Sequence, residues 1–389
     1  MWRLFSYTLL FLPYLAAGNG AHPGPGFPPS LRPGCPPADE QHNLFCPGMY
    51  EYGCFKIPTL LRIPNTTRLL AFIEARKHSC DDHGYVDLVM KVSEDLGTTW
   101  GRPELVHSDS TATDWHTIGD ALPIWDRQTG EVHLLFTRDN EDVYYMRALS
   151  AASPGPLTWG PPRNISASAV ALRGSKHFVG TGHALGLQLR NGTLLAPLYG
   201  GGSNSFVLRS DTHGETWHIG GVLDSPPNEW AFVPVSTAPE SEHKLLGSLR
   251  SEPSRRQAWS TDAGTSWTPT VAVPGLPEPI KGCEASLLLH PDGSIFYAHP
   301  QPTAHLFRNT MNIKISKDQG HTWRQHTQIW GEQAGNCRPP CVPAASYSSM
   351  ALVGQREEAM DGEVGLFYMR NNISMVVFEG TASYTTFKP

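Results

Sequence analysis

Short stretches in which apolar and polar side chains alternate recur along the whole chain. Val86-Asp-Leu-Val-Met-Lys-Val92 and Val132-His-Leu-Leu-Phe136 are two of them. In an extended backbone successive side chains point to opposite faces, so a period of two predicts strands with one face buried. Between the stretches stand Gly (37) and Pro (34), dispersed without a collagen-like period. Such turn chemistry suits many short strands and argues against helical solenoids and coiled coils.

An octapeptide repeats on top of this pattern. Ser93-Glu-Asp-Leu-Gly-Thr-Thr-Trp100 returns as Ser210-Asp-Thr-His-Gly-Glu-Thr-Trp217, Ser260-Thr-Asp-Ala-Gly-Thr-Ser-Trp267 and Ser316-Lys-Asp-Gln-Gly-His-Thr-Trp323. A worn copy ends in Leu157-Thr-Trp159, and the closing tryptophans lie 59, 58, 50 and 56 residues apart. A fixed period of that length marks a repeat architecture. Within each copy the Asp side chain is expected to bind backbone N–H, and the Gly to take positive φ. The Trp then fills the space between neighbouring sheets. The second copy carries Thr212 in place of Asp, and so is expected to lack its preferred acceptor. These turns read as structural, not catalytic. Dividing the chain by the period gives about six units, and radial closure hides sheet edges. The prediction is an all-β fold: a six-bladed β-propeller with Asp boxes, over residues 50–389.

The ends and cysteines bear on compartment. Residues 1–18 hold one basic residue, a short apolar run and a small-residue exit, which reads as a cleaved signal peptide. The run is too short to span a bilayer, and no other stretch is long and apolar enough. Residues 19–49, rich in Pro and Gly, read as an irregular arm tied down by Cys35, Cys46 or Cys54. Sequons at Asn65, Asn164, Asn191 and Asn372 agree with secretion. Lysosomal delivery, which uses the same entry signal, is the alternative. Seven cysteines in an oxidising lumen predict up to three disulfides and one leftover thiol, with Cys337 and Cys341 stapling a loop.

Charge narrows the function classes. With 30 basic and 36 acidic side chains the formal net charge is -6, and no basic stripe marks a nucleic-acid surface. No Cys/His set has metal-ligand spacing, so neither a metal nor a cofactor is expected.

The four boxes, preceded by Phe55-Lys-Ile-Pro58 near where Phe-Arg-Ile-Pro is expected, resemble the sialidase (exo-α-neuraminidase) family from about residue 50 onward. The resemblance implies a site that grips a sugar carboxylate with arginines, whose planar forks match it bidentately. It assigns this task to Arg250, ending Leu245-Leu-Gly-Ser-Leu-Arg250, and to Arg308, in His305-Leu-Phe-Arg-Asn309. Lys56 takes the place of the first arginine. Met369, in Leu366-Phe-Tyr-Met-Arg370, stands where the family's orienting Glu would fall, so both halves of one ion pair are changed.

By the same resemblance Tyr347, in Ala345-Ser-Tyr-Ser-Ser-Met350, is the nucleophile, a neutral hydroxyl avoiding repulsion from the substrate carboxylate. A phenol needs a partner base, and Glu229 fits that position; Glu284, in Gly282-Cys-Glu-Ala-Ser286, is a secondary pocket residue and rival. Asp82, eleven residues before Ser93, is the implied general acid/base, with Asp81 as competitor and a carboxyl expected to rise when water is excluded. Arg76 matches a position beside the C4 substituent of the sugar.

The implied activity is retaining removal of terminal sialic acid, or a related nonulosonic acid such as Kdn. The substrates would be sialylated glycoproteins, glycolipids or oligosaccharides. Transfer to another acceptor is a variant of the same chemistry. A secreted carbohydrate-binding propeller with weak or no turnover is the alternative, favoured by Lys56 and Met369.

Overall fold

A computed structural model describes residues 42–169, 178–182, 184–200, 204–226, 228–301, 308–331, 343–354, 362–372 and 380–389. The expected signal peptide, most of the arm, and Cys35, Cys337 and Cys341 lie outside them. Among the described residues the strands form six antiparallel sheets, and no helix is long and apolar enough to cross a membrane. The innermost strands of blades I to VI are Cys54–Arg62, Ile118–Asp126, Val179–Thr181 with Leu187–Gln188, Trp230–Pro234, Ser286–Leu289 and Pro343–Leu352. Their apolar residues are buried in clusters shared between neighbouring blades, one joining blades I and II around Phe72 and Phe136.

Blade VI is built from both ends of the chain. Its strands run Pro343–Leu352, Val364–Asn372 and Thr381–Phe387, and the outer edge is His42–Phe45, pairing antiparallel with Thr381–Phe387. The boundary expected at residue 50 is therefore too late. The last part of the arm is a strand because it caps an open edge and buries Leu44 and Phe45.

Each Asp box is a closed hydrogen-bond cycle. In the first, Ser93 Oγ donates to Asp95 Oδ1 (2.8 Å) and Gly97 N donates to Ser93 Oγ (2.8 Å). Thr99 N and Oγ1 donate to the two Asp95 oxygens at 2.8 and 2.6 Å. Gly97 has φ 88°, and a Cβ there would strike the Tyr384 ring. The second box departs from expectation. Thr212 Oγ1 accepts from Thr216 N at 2.8 Å, so the hydroxyl supplies the bond that the missing carboxylate would have made. Box tryptophans pack on the preceding blade: Trp100 on Tyr384 (centroids 5.3 Å), Trp159 on Phe72 (6.1 Å) and Trp217 on Tyr145 (5.8 Å).

Antiparallel order separates turns from chemistry. The boxes follow the third strand of a blade, at one mouth of the ring. The start of the innermost strand, the end of the second and the start of the third all lie at the other mouth. Three inner strands bulge near that mouth, between Lys56 and Thr59, Gly119 and Leu122, and Ala345 and Ser348. A bulge adds a residue to one strand and re-aims its side chains. Ile57 (φ 59°) and Asp120 (φ 59°) take left-handed backbone there, unusual for a β-branched residue above all.

Candidate active site

Tyr347 sits in the blade VI bulge, 8% exposed. Its hydroxyl donates to Glu229 Oε1 at 2.6 Å. Glu229 directly precedes the inner strand of blade IV, and its carbonyl accepts Arg250 N at 2.9 Å, which brings Arg250 alongside. Arg250 Nη1 donates to Glu229 Oε2 (2.6 Å) and to the Tyr347 hydroxyl oxygen (3.2 Å). Arg308, at the start of the third strand of blade V, lies with its guanidinium carbon 5.2 Å from the Tyr347 ring centre. Its Nη1 donates to Ser346 Oγ at 2.9 Å. Four residues chosen from distant parts of the chain thus form one cluster.

Burial, then the Glu229 charge, pushes the Tyr347 phenol well above its ordinary value, against the lowering effect of Arg250 and Arg308. The resting phenol is therefore protonated, and its hydrogen bond points the proton at Glu229. The arginine charges are secure: despite burial, Glu229 holds Arg250 above its usual range.

A second cluster lies on blade I. Arg76 ends the second strand, Leu69–Arg76, and is 3% exposed. Its Nε and Nη2 donate to Glu74 Oε2 at 3.1 and 2.6 Å, and Nη1 donates to Asp82 Oδ1 at 2.8 Å. Lys56 Nζ donates to the same Asp82 oxygen at 3.1 Å and to Cys80 O at 3.0 Å. Lys56, expected with Arg250 and Arg308, ties its ammonium to the acid loop. The Cys54–Cys80 disulfide ties that loop to the start of the inner strand, so Cys54 anchors the loop and not the arm.

The Asp82 carboxyl answers to those two cations. Partial burial raises its carboxyl, but the Lys56 charge and the Arg76 hydrogen bond outweigh this and hold it at about 2. Its side chain is 77% exposed, so the pairing is partly screened by water. Asp81 faces Ser79 (2.9 Å) instead, which separates the two neighbouring aspartates. Lys56 is lowered by burial and by the Arg76 charge beside it.

Glu284 is buried (1% exposed) and accepts Ser348 N at 3.0 Å, one residue along from Tyr347. Met369 is likewise buried, packed with Ile57, Cys283 and Tyr347. The position read as a lost Glu therefore fills an apolar floor beneath the phenol.

Two residues, Asp120 and Tyr199, were missed by sequence reading, whereas Glu74 was weighed as a salt-bridge partner of Arg76. Glu74 Oε1 accepts Asp120 N at 3.1 Å, coupling the Arg76 pair to blade II. Asp120 is 4% exposed and accepts from Thr137 Oγ1 (3.1 Å) and Asn140 Nδ2 (2.7 Å). Tyr199 is pushed well above its usual value by burial and by the charges of Asp120 and Glu229. The available signal was Ile118-Gly-Asp-Ala-Leu122, an acid inside an otherwise apolar strand.

A ring of six sheets, with Asp boxes at one mouth and the Tyr347 and Arg76 clusters at the other, defines a class of repeat propeller. The model of the BNR repeat-like domain matches residues 67–368, and the chain belongs to this family. The relatives it resembles are sialidases. Sialidase-4 of Mus musculus is 26% identical over 73% of this chain, which spans 65% of that protein's length. Sialidase-2 of Cricetulus griseus is 24% identical over 88% of this chain and 95% of its own. Among solved structures, the Hadza microbial sialidase Hz136 superposes with a TM-score of 0.69 at 21% identity, covering 90% of this chain and 68% of that one.

Proposed function

We propose that the chain is an exo-acting retaining glycosidase that releases terminal sialic acid, or a related nonulosonic acid such as Kdn, from glycoproteins, glycolipids or oligosaccharides. The observation that carries this reading is the 2.6 Å bond from the Tyr347 hydroxyl to Glu229, beside Arg250 and Arg308. A buried phenol whose proton is aimed at a carboxylate, next to two fixed cations, suits attack on a carbon that bears a negative group. Its likeness to sialidases supports the substrate class.

In the first step the Tyr347 oxygen bonds to the anomeric carbon as its proton passes to Glu229. The bond to the leaving oxygen breaks, and Asp82 protonates that oxygen. In the second, water activated by Asp82 attacks the same carbon, the bond to Tyr347 breaks, and the proton returns from Glu229. Two inversions leave the α-configuration retained. For the first step Asp82 must acquire a proton, which its pairing with Lys56 and Arg76 opposes. A substrate carboxylate that draws Lys56 away removes one of the two positive charges on Asp82 and lets the carboxyl rise. We place the protein in the secretory route, as a secreted or lysosomal glycoprotein.

The strongly ionised Asp82 favours a second reading, a carbohydrate-binding propeller with weak turnover. Incubation with a fluorogenic sialoside and its Kdn analogue separates the two. Release that Tyr347→Phe lowers by at least about a thousandfold, on the scale of losing a nucleophile, supports the enzyme. Binding of either sugar without release supports the binder.

A further inference from the structure

Both site arginines are aimed by the same short piece of backbone. Lys281 O accepts Arg250 Nε and Nη2 at 3.1 and 2.6 Å. The next carbonyl, Gly282 O, accepts Arg308 Nε and Nη2 at 3.1 and 2.9 Å. Each guanidinium is thereby clamped along one edge, and its Nη1 is turned toward the Tyr347 side of the site. Lys281 (φ 65°) and Gly282 (φ 62°) are both left-handed, which turns successive carbonyls to two different partners. Gly282 has a further constraint, because a Cβ there would lie 2.8 Å from Arg250 Cγ.

Left-handed backbone at a non-glycine residue is costly and persists only when its surroundings impose it. Here they do so at the following residue. Glu278 Oε2 accepts Cys283 N at 3.0 Å, and Arg255 Nη1 donates to Cys283 O at 2.6 Å. Arg255 and Glu278 are paired at 2.9 Å, and His299 Nε2 is 3.0 Å from Glu278 Oε2. Arg255 Nε also donates to Ser248 Oγ at 2.9 Å, anchoring it to blade IV. All three charged or titratable side chains are nearly inaccessible, at 0%, 0% and 2%. A buried ion pair is a weak way to add stability, since desolvation offsets most of the attraction. Its distinctive effect here is geometric: one residue, Cys283, is held at both its N–H and its C=O.

We propose that Arg255, Glu278 and His299 are positioning residues that hold the Lys281–Cys283 backbone so that its carbonyls aim Arg250 and Arg308 at an incoming carboxylate. None of the three touches Tyr347 in a hydrogen bond. The inference rests on reading the two arginines as the carboxylate grip.

The test uses the full chain and Glu278→Gln, which keeps shape and removes the charge. Probes are a 2,3-didehydro analogue of sialic acid and its methyl ester. Losing the aim of one charge-assisted contact weakens the acid form by about tenfold. The ester should lose less than about twofold, since it presents no charge to the arginines. For turnover, KM should rise while kcat stays within about twofold. Equal weakening of acid and ester, or unchanged binding in a folded variant, overturns the proposal. If Glu278→Gln does not fold, His299→Gln is measured the same way, with the same two outcomes deciding. The arginine Nε–H resonances of Arg250 and Arg308 provide a readout free of substrate. Should the unmodified chain bind neither analogue, the functional reading fails, and these resonances alone decide the positioning. Displacement of both in the variant supports it, and unmoved signals reject it.

Discussion

Asp82 and Tyr347 show how surroundings shift two acidic side chains in opposite directions. The Tyr347 phenol is raised by burial beside Glu229, whereas the Asp82 carboxyl is pulled to about 2 by Lys56 and Arg76. The sequence offered Asp82, Glu229 and Tyr347 through their places in recognisable motifs. It did not show that Lys56, in the strand, would reach the loop acid, because that contact spans 26 positions and depends on the Cys54–Cys80 link. Replacing Lys56 with Met keeps length and removes the charge. A carboxylate that loses a neighbouring cation holds its proton more firmly, so the Asp82 titration should move upward from about 2 toward its ordinary 3.8. Carboxyl carbon shifts followed against pH measure this directly. A midpoint that stays put would mean that Arg76 alone sets the acid.

At the scale of elements, the Asp box is a turn whose stability comes from one acceptor serving several donors. In the third box Asp262 accepts from Ser266 N (2.8 Å), Ser266 Oγ (2.6 Å) and Ser260 Oγ (2.9 Å). Thr212 in the second box offers a neutral hydroxyl to Thr216 N. A charged acceptor is worth roughly twice a neutral one, so Asp262→Ala should cost about 1–2 kcal/mol and Thr212→Ala clearly less. Denaturant midpoints of the two variants test the ranking, which equal losses would reject. The repeat was legible because a short hydrogen-bond cycle needs specific residues at fixed offsets. Legibility stopped one residue short: Leu96, His213, Ala263 and Gln319, just before each box glycine, are also left-handed. Nothing in their side chains announces this, since the closing of the cycle imposes it.

The ring as a whole closes through its two ends. Phe45 packs on Phe55 (5.2 Å) and Phe367 (6.1 Å) and is fully buried. Lys91 Nζ donates to Leu44 O at 2.6 Å, fastening the edge strand to blade I. Trp100 against Tyr384 completes the seam. Phe45→Ala leaves a cavity between the first and last blades and should destabilise the chain by about 3–5 kcal/mol. Equilibrium unfolding measures the loss. A change below about 1 kcal/mol, the range of a surface substitution, would show that the edge strand is dispensable to closure.

Patterns set by local chemistry were written in the chain itself: the alternation that makes strands, the box that turns between them, and a period that sets the number of blades. The same holds for the motif places of Glu229, Arg250, Arg308 and Tyr347. What the folded ring alone decided is which of these groups meet. Lys56 met Asp82, Met369 packed with the phenol, and the Lys281–Gly282 carbonyls came to serve Arg250 and Arg308. Such pairings join strands far apart in sequence, so the distances and burial that govern them exist only once the last blade has closed on the first.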